Sequence, residues 1–111
     1  MNIHLSEEKC TACEGGTPTL TEAEYAPLLA ELPADWNVVG SKVLTKEFSF
    51  RDFREALIFV NKVGEIAETE NHHPDINLHN YKQVMISLST HAIGGLSRND
   101  FILASKIENL F

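Results

Sequence analysis

Two adjacent imidazoles, His72 and His73, followed at once by Pro74, and a third at His91 are the residues of this chain best equipped for chemistry. Proline fixes its own backbone and restricts the residue before it, so the chain itself constrains how the pair leaves. Histidine is the side chain whose proton equilibrium lies nearest neutrality, and such a cluster gives and takes protons without large tuning. It is either an acid/base site or a metal site. Zinc accepts a three-histidine set, but adjacent histidines offer poor geometry to one ion and no helical H-x-x-x-H spacing is present. No Ser or Cys carries the marks of an activated nucleophile, and no glycine-rich loop resembles a phosphate cradle. Proton transfer remains. One imidazole protonating a departing hydroxyl while another removes a neighbouring proton describes a dehydration, a step to which such groups contribute about 10²–10⁴-fold. Glu68, four residues before His72, is placed to orient that ring or hold it protonated. Singly, each histidine also has a bland reading as a packing or capping group. Asp100 reads as a cap rather than a catalytic group, Tyr81 as a packing aromatic, Trp36 as core, and His4 and His79 as surface.

These residues need elements to hold them. Thr21 and Glu24 form a capping box, predicting a first helix to about Glu31 with Tyr25, Leu28, Leu29 and Leu32 on one face and Pro33 at its end. Trp36 to Val39 and Val43 to Phe50, joined across Gly40-Ser41, read as a β-hairpin. A longer helix from Arg51 to Glu70 carries Phe53, Leu57, Val60, Val63, Gly64 and Ala67 at three- and four-residue steps, which predicts a buried stripe. Ile58, Phe59 and Ile66 widen it, so this helix is expected to meet a second surface such as another subunit. Pro74 ends it near Asn71. Ile76 to Leu78 reads as a short strand and Gln83 to Ser89 as a strand buried on one side. Ser97 and Asp100 form a second capping box, opening a last helix to about Leu110 with Leu103, Ile107 and Leu110 inward. The expected fold is α+β: a four-stranded antiparallel sheet with three helices packed on one face, the other face polar or partnered. Residues 1–20 are expected as an irregular arm and 21–111 as one domain.

Composition narrows the partners. The chain has 111 residues, 43% hydrophobic and 23% charged, a globular balance. A net charge of −7 lacks the basic face a nucleic-acid backbone demands. No apolar run approaches the roughly 20 residues of a membrane span, and the first ten residues hold Glu7 and Glu8 rather than an apolar signal core. A cytoplasmic protein is expected. Cys10 and Cys13 form a C-x-x-C, short of four zinc ligands and followed by loop residues rather than a helix start. A packed or capping role in the arm is the expectation.

The spacing Glu68, three residues, His72-His73-Pro74, six residues, Tyr81, nine residues, His91, eight residues, Asp100 resembles the signature of pterin-4a-carbinolamine dehydratases. Lys9-Cys10-Thr11-Ala12-Cys13, Gly15-Gly16-Thr17-Pro18 and Leu32-Pro33 before Trp36 look like bacterial and plant-type members, so the resemblance spans the chain. It implies a hydro-lyase that removes water from 4a-hydroxytetrahydropterin to give quinonoid dihydropterin, as tetrahydropterin recycling requires. It also implies catalytic His72, His73 and His91 supported by Glu68, with Asn71, Ser89 and Thr90 lining the pterin pocket. No metal or organic cofactor is implied, and members assemble as dimers or tetramers. The leaving hydroxyl is assigned to His73 or His72. Asn71 stands where some relatives carry Asp, and Asn99 where some carry Arg. The stretch from Pro74 to Tyr81 is long for the family, which leaves room for the edge strand to loop out. Animal relatives also bind a transcription factor's dimerisation helices, so an interaction protein is the alternative, and service to another pterin pathway a third.

Overall fold

The computed structural model describes residues 4–12 and 15–111. Thr21 Oγ1 accepts from the Glu24 N–H at 3.3 Å and Glu24 returns a carboxylate to the Thr21 N–H at 2.9 Å. These two bonds satisfy amides that a helix start otherwise leaves free, and α1 runs Glu22–Ala30. The strands are β1 Asn37–Val39, β2 Val43–Ser49, β3 Asp75–His79 and β4 Gln83–Leu88. Between and after them run α2 Phe53–Glu70 and α3 Arg98–Glu108. All neighbours are antiparallel in the order β1-β2-β4-β3, with Leu44 opposite Leu88 and Ile76 opposite Ile86. The α+β layout of four antiparallel strands and three helices agrees with the expectation.

Alternation decides the layers. Leu44 and Phe48 of β2, with Val84, Ile86 and Leu88 of β4, are buried against the helices. The opposite face carries Thr45, Glu47 and Ser87, a polar coat in which Thr45 Oγ1 donates to the Ile86 carbonyl at 2.9 Å. Trp36 is core, its indole N–H donating to Glu108 at 2.8 Å. Among the described residues no helix is long and apolar enough to cross a membrane.

Several expectations are corrected. The buried face of α2 is Ala56, Phe59, Val63 and Ala67, while Phe53 and Leu57 are 49% and 41% exposed. The helix is apolar over so wide an arc that period alone cannot tell which edge meets the sheet. The segment after Pro74 is not looped out, because β3 pairs along its length with β4. Tyr81 is an exposed turn residue rather than a packing one, and both it and Asn80 take left-handed φ, 52° and 48°. Finally, α3 buries more than one stripe: Asn99 to Ala104 and Ile107 are all buried. The cause is the N-terminal segment, whose 3₁₀ turn Leu5–Glu7 packs on α3 with Leu5 in the core.

Candidate active site

The placement of the histidine pair begins with a helix ending. Asn71 closes α2 in the left-handed region, φ 52° and ψ 42°, and the N–H groups of Asn71 and His72 both donate to the Ala67 carbonyl. Most L-residues resist that conformation by about 1–2 kcal/mol, whereas Asn adopts it routinely. The chain therefore leaves the helix axis at once, and His72 does not lie on the helical face that Glu68 occupies. Accordingly, Glu68 does not orient His72 as expected. Its Oε2 lies 2.5 Å from His73 Nε2, on a pair exposed to solvent.

The partner of His72 is Asp100. His72 Nε2 lies 2.7 Å from Asp100 Oδ1, and Asp100 is fully buried. Its Oδ2 accepts from the Thr90 hydroxyl at 2.9 Å and from the Ser97 N–H at 3.0 Å. Thr90 Oγ1 is in turn 2.7 Å from Ser97 Oγ, so with Thr90 donating to Asp100 the Ser97 hydroxyl donates to Thr90. A carboxylate accepts only, so His72 Nε2 carries the hydrogen. The lone pair of the neutral ring is then on Nδ1, which has no protein partner among the described residues. Asp100 thus caps α3, as expected, and also fixes a histidine tautomer. The second role was not foreseen. The i,i+3 cap explained the residue completely along the chain, and His72 is 28 residues away.

His91 opens a 3₁₀ turn, His91–Ile93, in a loop closed by the Thr90 N–H donating to the Gly95 carbonyl at 2.8 Å. Gly95 is required there, since a Cβ would meet the Thr19 methyl at 2.6 Å. His72, His73 and His91 line one cavity of about 300 Å³, with Asn71, Ser89 and Thr90. The Thr90 hydroxyl is engaged with Asp100 and Ser97. The rest of the lining comes from Ala92, from Asn99 of α3, the position where some relatives carry Arg, and from Thr11 and Ala12 of the arm, which were not expected at the pocket. A larger hollow of about 580 Å³, lined by Lys62, Ile66, Lys106 and neighbours between α2 and α3, contains no imidazole. Size alone does not make it the site.

Cys10 is a free thiol packed at the edge of the core, its N–H donating to Glu70 at 2.8 Å. Burial, reinforced by the Glu70 carboxylate, pushes the thiol up to about 12. That disfavours the thiolate on which redox or metal chemistry depends. Its partner in the C-x-x-C, Cys13, lies outside the described residues. Among the described residues no group of three His, Cys, Asp or Glu is arranged to hold a metal ion.

The family model described as pterin 4 alpha carbinolamine dehydratase matches residues 18–110. A protein of Rubrobacter xylanophilus provisionally named pterin-4-alpha-carbinolamine dehydratase is 46% identical over 106 residues, covering 96% of this chain and 97% of that one. One of Rickettsia canadensis with the same provisional name is 48% identical over 105 residues, covering 95% of each chain. The crystal structure of a transcriptional coactivator/pterin dehydratase from Brucella melitensis superposes with TM-score 0.76 at 32% identity, over 84% of this chain and 98% of that one. A pterin dehydratase-like RuBisCO assembly factor of the α-carboxysome superposes with TM-score 0.59 at 21% identity, over 70% of this chain and 90% of its own. That last likeness is one of fold alone.

Proposed function

The chain belongs to the pterin-4-alpha-carbinolamine dehydratase family, and on that premise we propose that it dehydrates a 4a-hydroxytetrahydropterin within the histidine slot. The observation that carries the reading is the His72–Asp100 pair facing a cavity shared with His73 and His91. A volume near 300 Å³ lies at the small end of ligand pockets. It suits a bicyclic heterocycle whose substituent stays outside.

His72 is the base. Asp100 holds its Nε2–H, Nδ1 accepts the proton from N5, and the buried carboxylate faces the charge the ring acquires. The electron pair of the N5–H bond becomes the second bond between N5 and C4a. The C4a–O bond breaks with its pair, and His73, held by Glu68, delivers the proton that turns the departing hydroxyl into water. His91 closes the slot and holds the heterocycle against the other two rings, beside Asn71 and Ser89. Water and a quinonoid dihydropterin leave, with no oxidant or reductant consumed.

The test follows dehydration of chemically generated carbinolamine by absorbance. His73→Ala is expected to lower kcat about 10²-fold, the size of one general acid. His91→Ala is expected to act chiefly on KM. If both variants keep wild-type rates, this assignment is wrong.

Phe53, Leu57 and Ile58 are 49%, 41% and 49% exposed on the outer side of α2, more apolar surface than a helix face in water normally presents. We place self-association on this face. Light scattering of the wild type should give a multiple of the 12.4 kDa chain, and Leu57→Lys should shift it toward monomer. A monomeric wild type would overturn this and leave the face to a different protein, a role that the coactivator part of the Brucella structure's name favours.

A further inference from the structure

The family model begins at residue 18, yet part of the catalytic cavity is built by residues before it. Thr11 and Ala12 line the slot, and an unusual clasp keeps them there. The Thr11 N–H donates to Asn99 Oδ1 at 3.0 Å, and Asn99 Nδ2 donates back to the Thr11 carbonyl at 2.5 Å. One primary amide thus pairs with one residue's backbone in both directions, across 88 positions of sequence. Asn99 is 5% exposed while Thr11 and Ala12 stand at the surface, so the clasp is part-buried, its amide anchored from the protein side.

The clasp is the inner end of a longer attachment. Leu5 is buried in the core, the Lys106 ammonium donates to the Ser6 carbonyl at 2.8 Å, and Arg98 grips Glu8 through two bonds of 2.7 and 2.6 Å. The Cys10 N–H donates to Glu70, at the end of the helix that presents the histidine pair. Beyond the slot the arm returns along the opposite rim. A Cβ on Gly15 would sit 3.7 Å from the Ala92 carbonyl, and the Leu20 N–H donates to the Leu96 carbonyl at 2.9 Å. The same segment therefore touches the element bearing His72 and the loop bearing His91.

We propose that Thr11 and Ala12 are a specificity-determining wall of the imidazole slot, and that Asn99 is the positioning residue that holds this wall against bound substrate. The proposal rests on the dehydratase reading of the slot and adds to it where the substrate's boundary is set. Asn99 neighbours Asp100 in the first turn of α3, so one helix end serves two purposes. Asp100 fixes the base, and Asn99 fixes the wall. Both polar groups of the Thr11 backbone are engaged by Asn99, so this stretch of backbone offers the slot its shape. It narrows the slot around a flat ring and excludes water beside His72. Neither Thr11 nor Ala12 carries a group that ionises near neutral pH, so the effect is read in binding.

The experiment uses the full chain. Asn99→Ala removes both clasp bonds while keeping a good helix former in α3, and Thr11→Pro removes the bond from the Thr11 N–H, together with the Thr11 hydroxyl, while leaving its carbonyl to Asn99. For carbinolamine dehydration, Asn99→Ala is expected to raise KM about tenfold with kcat within threefold and the pH profile unmoved. Thr11→Pro should raise KM by a smaller factor. A parallel measurement needs no turnover: carbethoxylation by diethyl pyrocarbonate, read peptide by peptide. His72, 11% exposed in its side chain, should react several-fold faster in Asn99→Ala, with exposed His4 as internal reference. An unchanged KM, or a fall in kcat at constant KM, would overturn the wall. If the wild type turns over no carbinolamine, the dehydratase reading fails by itself. The His72 modification rate then decides the wall alone: acceleration supports it, and equal rates in wild type and Asn99→Ala overturn it.

Discussion

Replacing Asp100 with asparagine is expected to lower kcat for carbinolamine dehydration by about 10²–10⁴-fold, with far less change in KM. The carboxylate receives three donors: His72 Nε2 at 2.7 Å, the Thr90 hydroxyl at 2.9 Å and the Ser97 N–H at 3.0 Å. An amide supplies one accepting oxygen and one donating nitrogen. If the oxygen stays on Thr90 and Ser97, the NH₂ faces His72 and stabilises the tautomer protonated on Nδ1. The lone pair that should collect the substrate proton is then on the wrong nitrogen. If the amide flips, the buried donors of Thr90 and Ser97 lose their acceptor, at about 1–3 kcal/mol each. Either way the dyad is broken. Initial rates at saturating substrate, beside circular dichroism to confirm the fold, make the measurement. Because the two residues act as one unit, His72→Ala with Asp100→Asn should be little slower than His72→Ala alone. A singly substituted Asp100→Asn enzyme within threefold of wild type would show that the pair only shapes the helix start.

The next residue along α3 is expected to fail differently. Phe101 is fully buried and stacks on Tyr25 with ring centroids 6.3 Å apart. Truncation to alanine leaves a void in the core beside Tyr25 of α1, where collapse is limited because α1 and α3 are each held by their own packing. A loss of about 3–5 kcal/mol is expected, a large share of the roughly 5–15 kcal/mol that holds a domain folded. Urea denaturation followed by tryptophan emission reports it, since Trp36 is the single tryptophan and is buried. Ile58→Ala, on a side chain 49% exposed, is the control and should cost under about 1 kcal/mol in the monomer. A Phe101→Ala protein as stable as this control would contradict the packing described for α3.

Much of the architecture was legible from local pattern. The Thr21–Glu24 box, the alternation through Val84, Ile86 and Leu88, and the stop at Asn71 before Pro74 each depend on neighbours within a few positions. Where local pattern allowed two answers, it misled. On α2 two adjacent apolar stripes satisfy the same period, and burial of Ala56 and Phe59 rather than Phe53 and Leu57 is set by where the sheet lies. Glu68 stood at i−4 from His72, but the left-handed Asn71 interrupts the helix on which that relation depends.

By itself the sequence determined the chemical inventory: three imidazoles near one helix exit and one strand end, a carboxylate cap at the last helix, and the α+β succession of elements. Those are properties of residue type and of short-range periodicity, which the chain carries in any conformation. Only the tertiary structure decided the pairings. It brought His72 to Asp100, Thr90 to the same carboxylate, and Thr11 to Asn99. Hydrogen bonds between distant segments depend on where the sheet, the helices and the arm finally pack, and no local period encodes that.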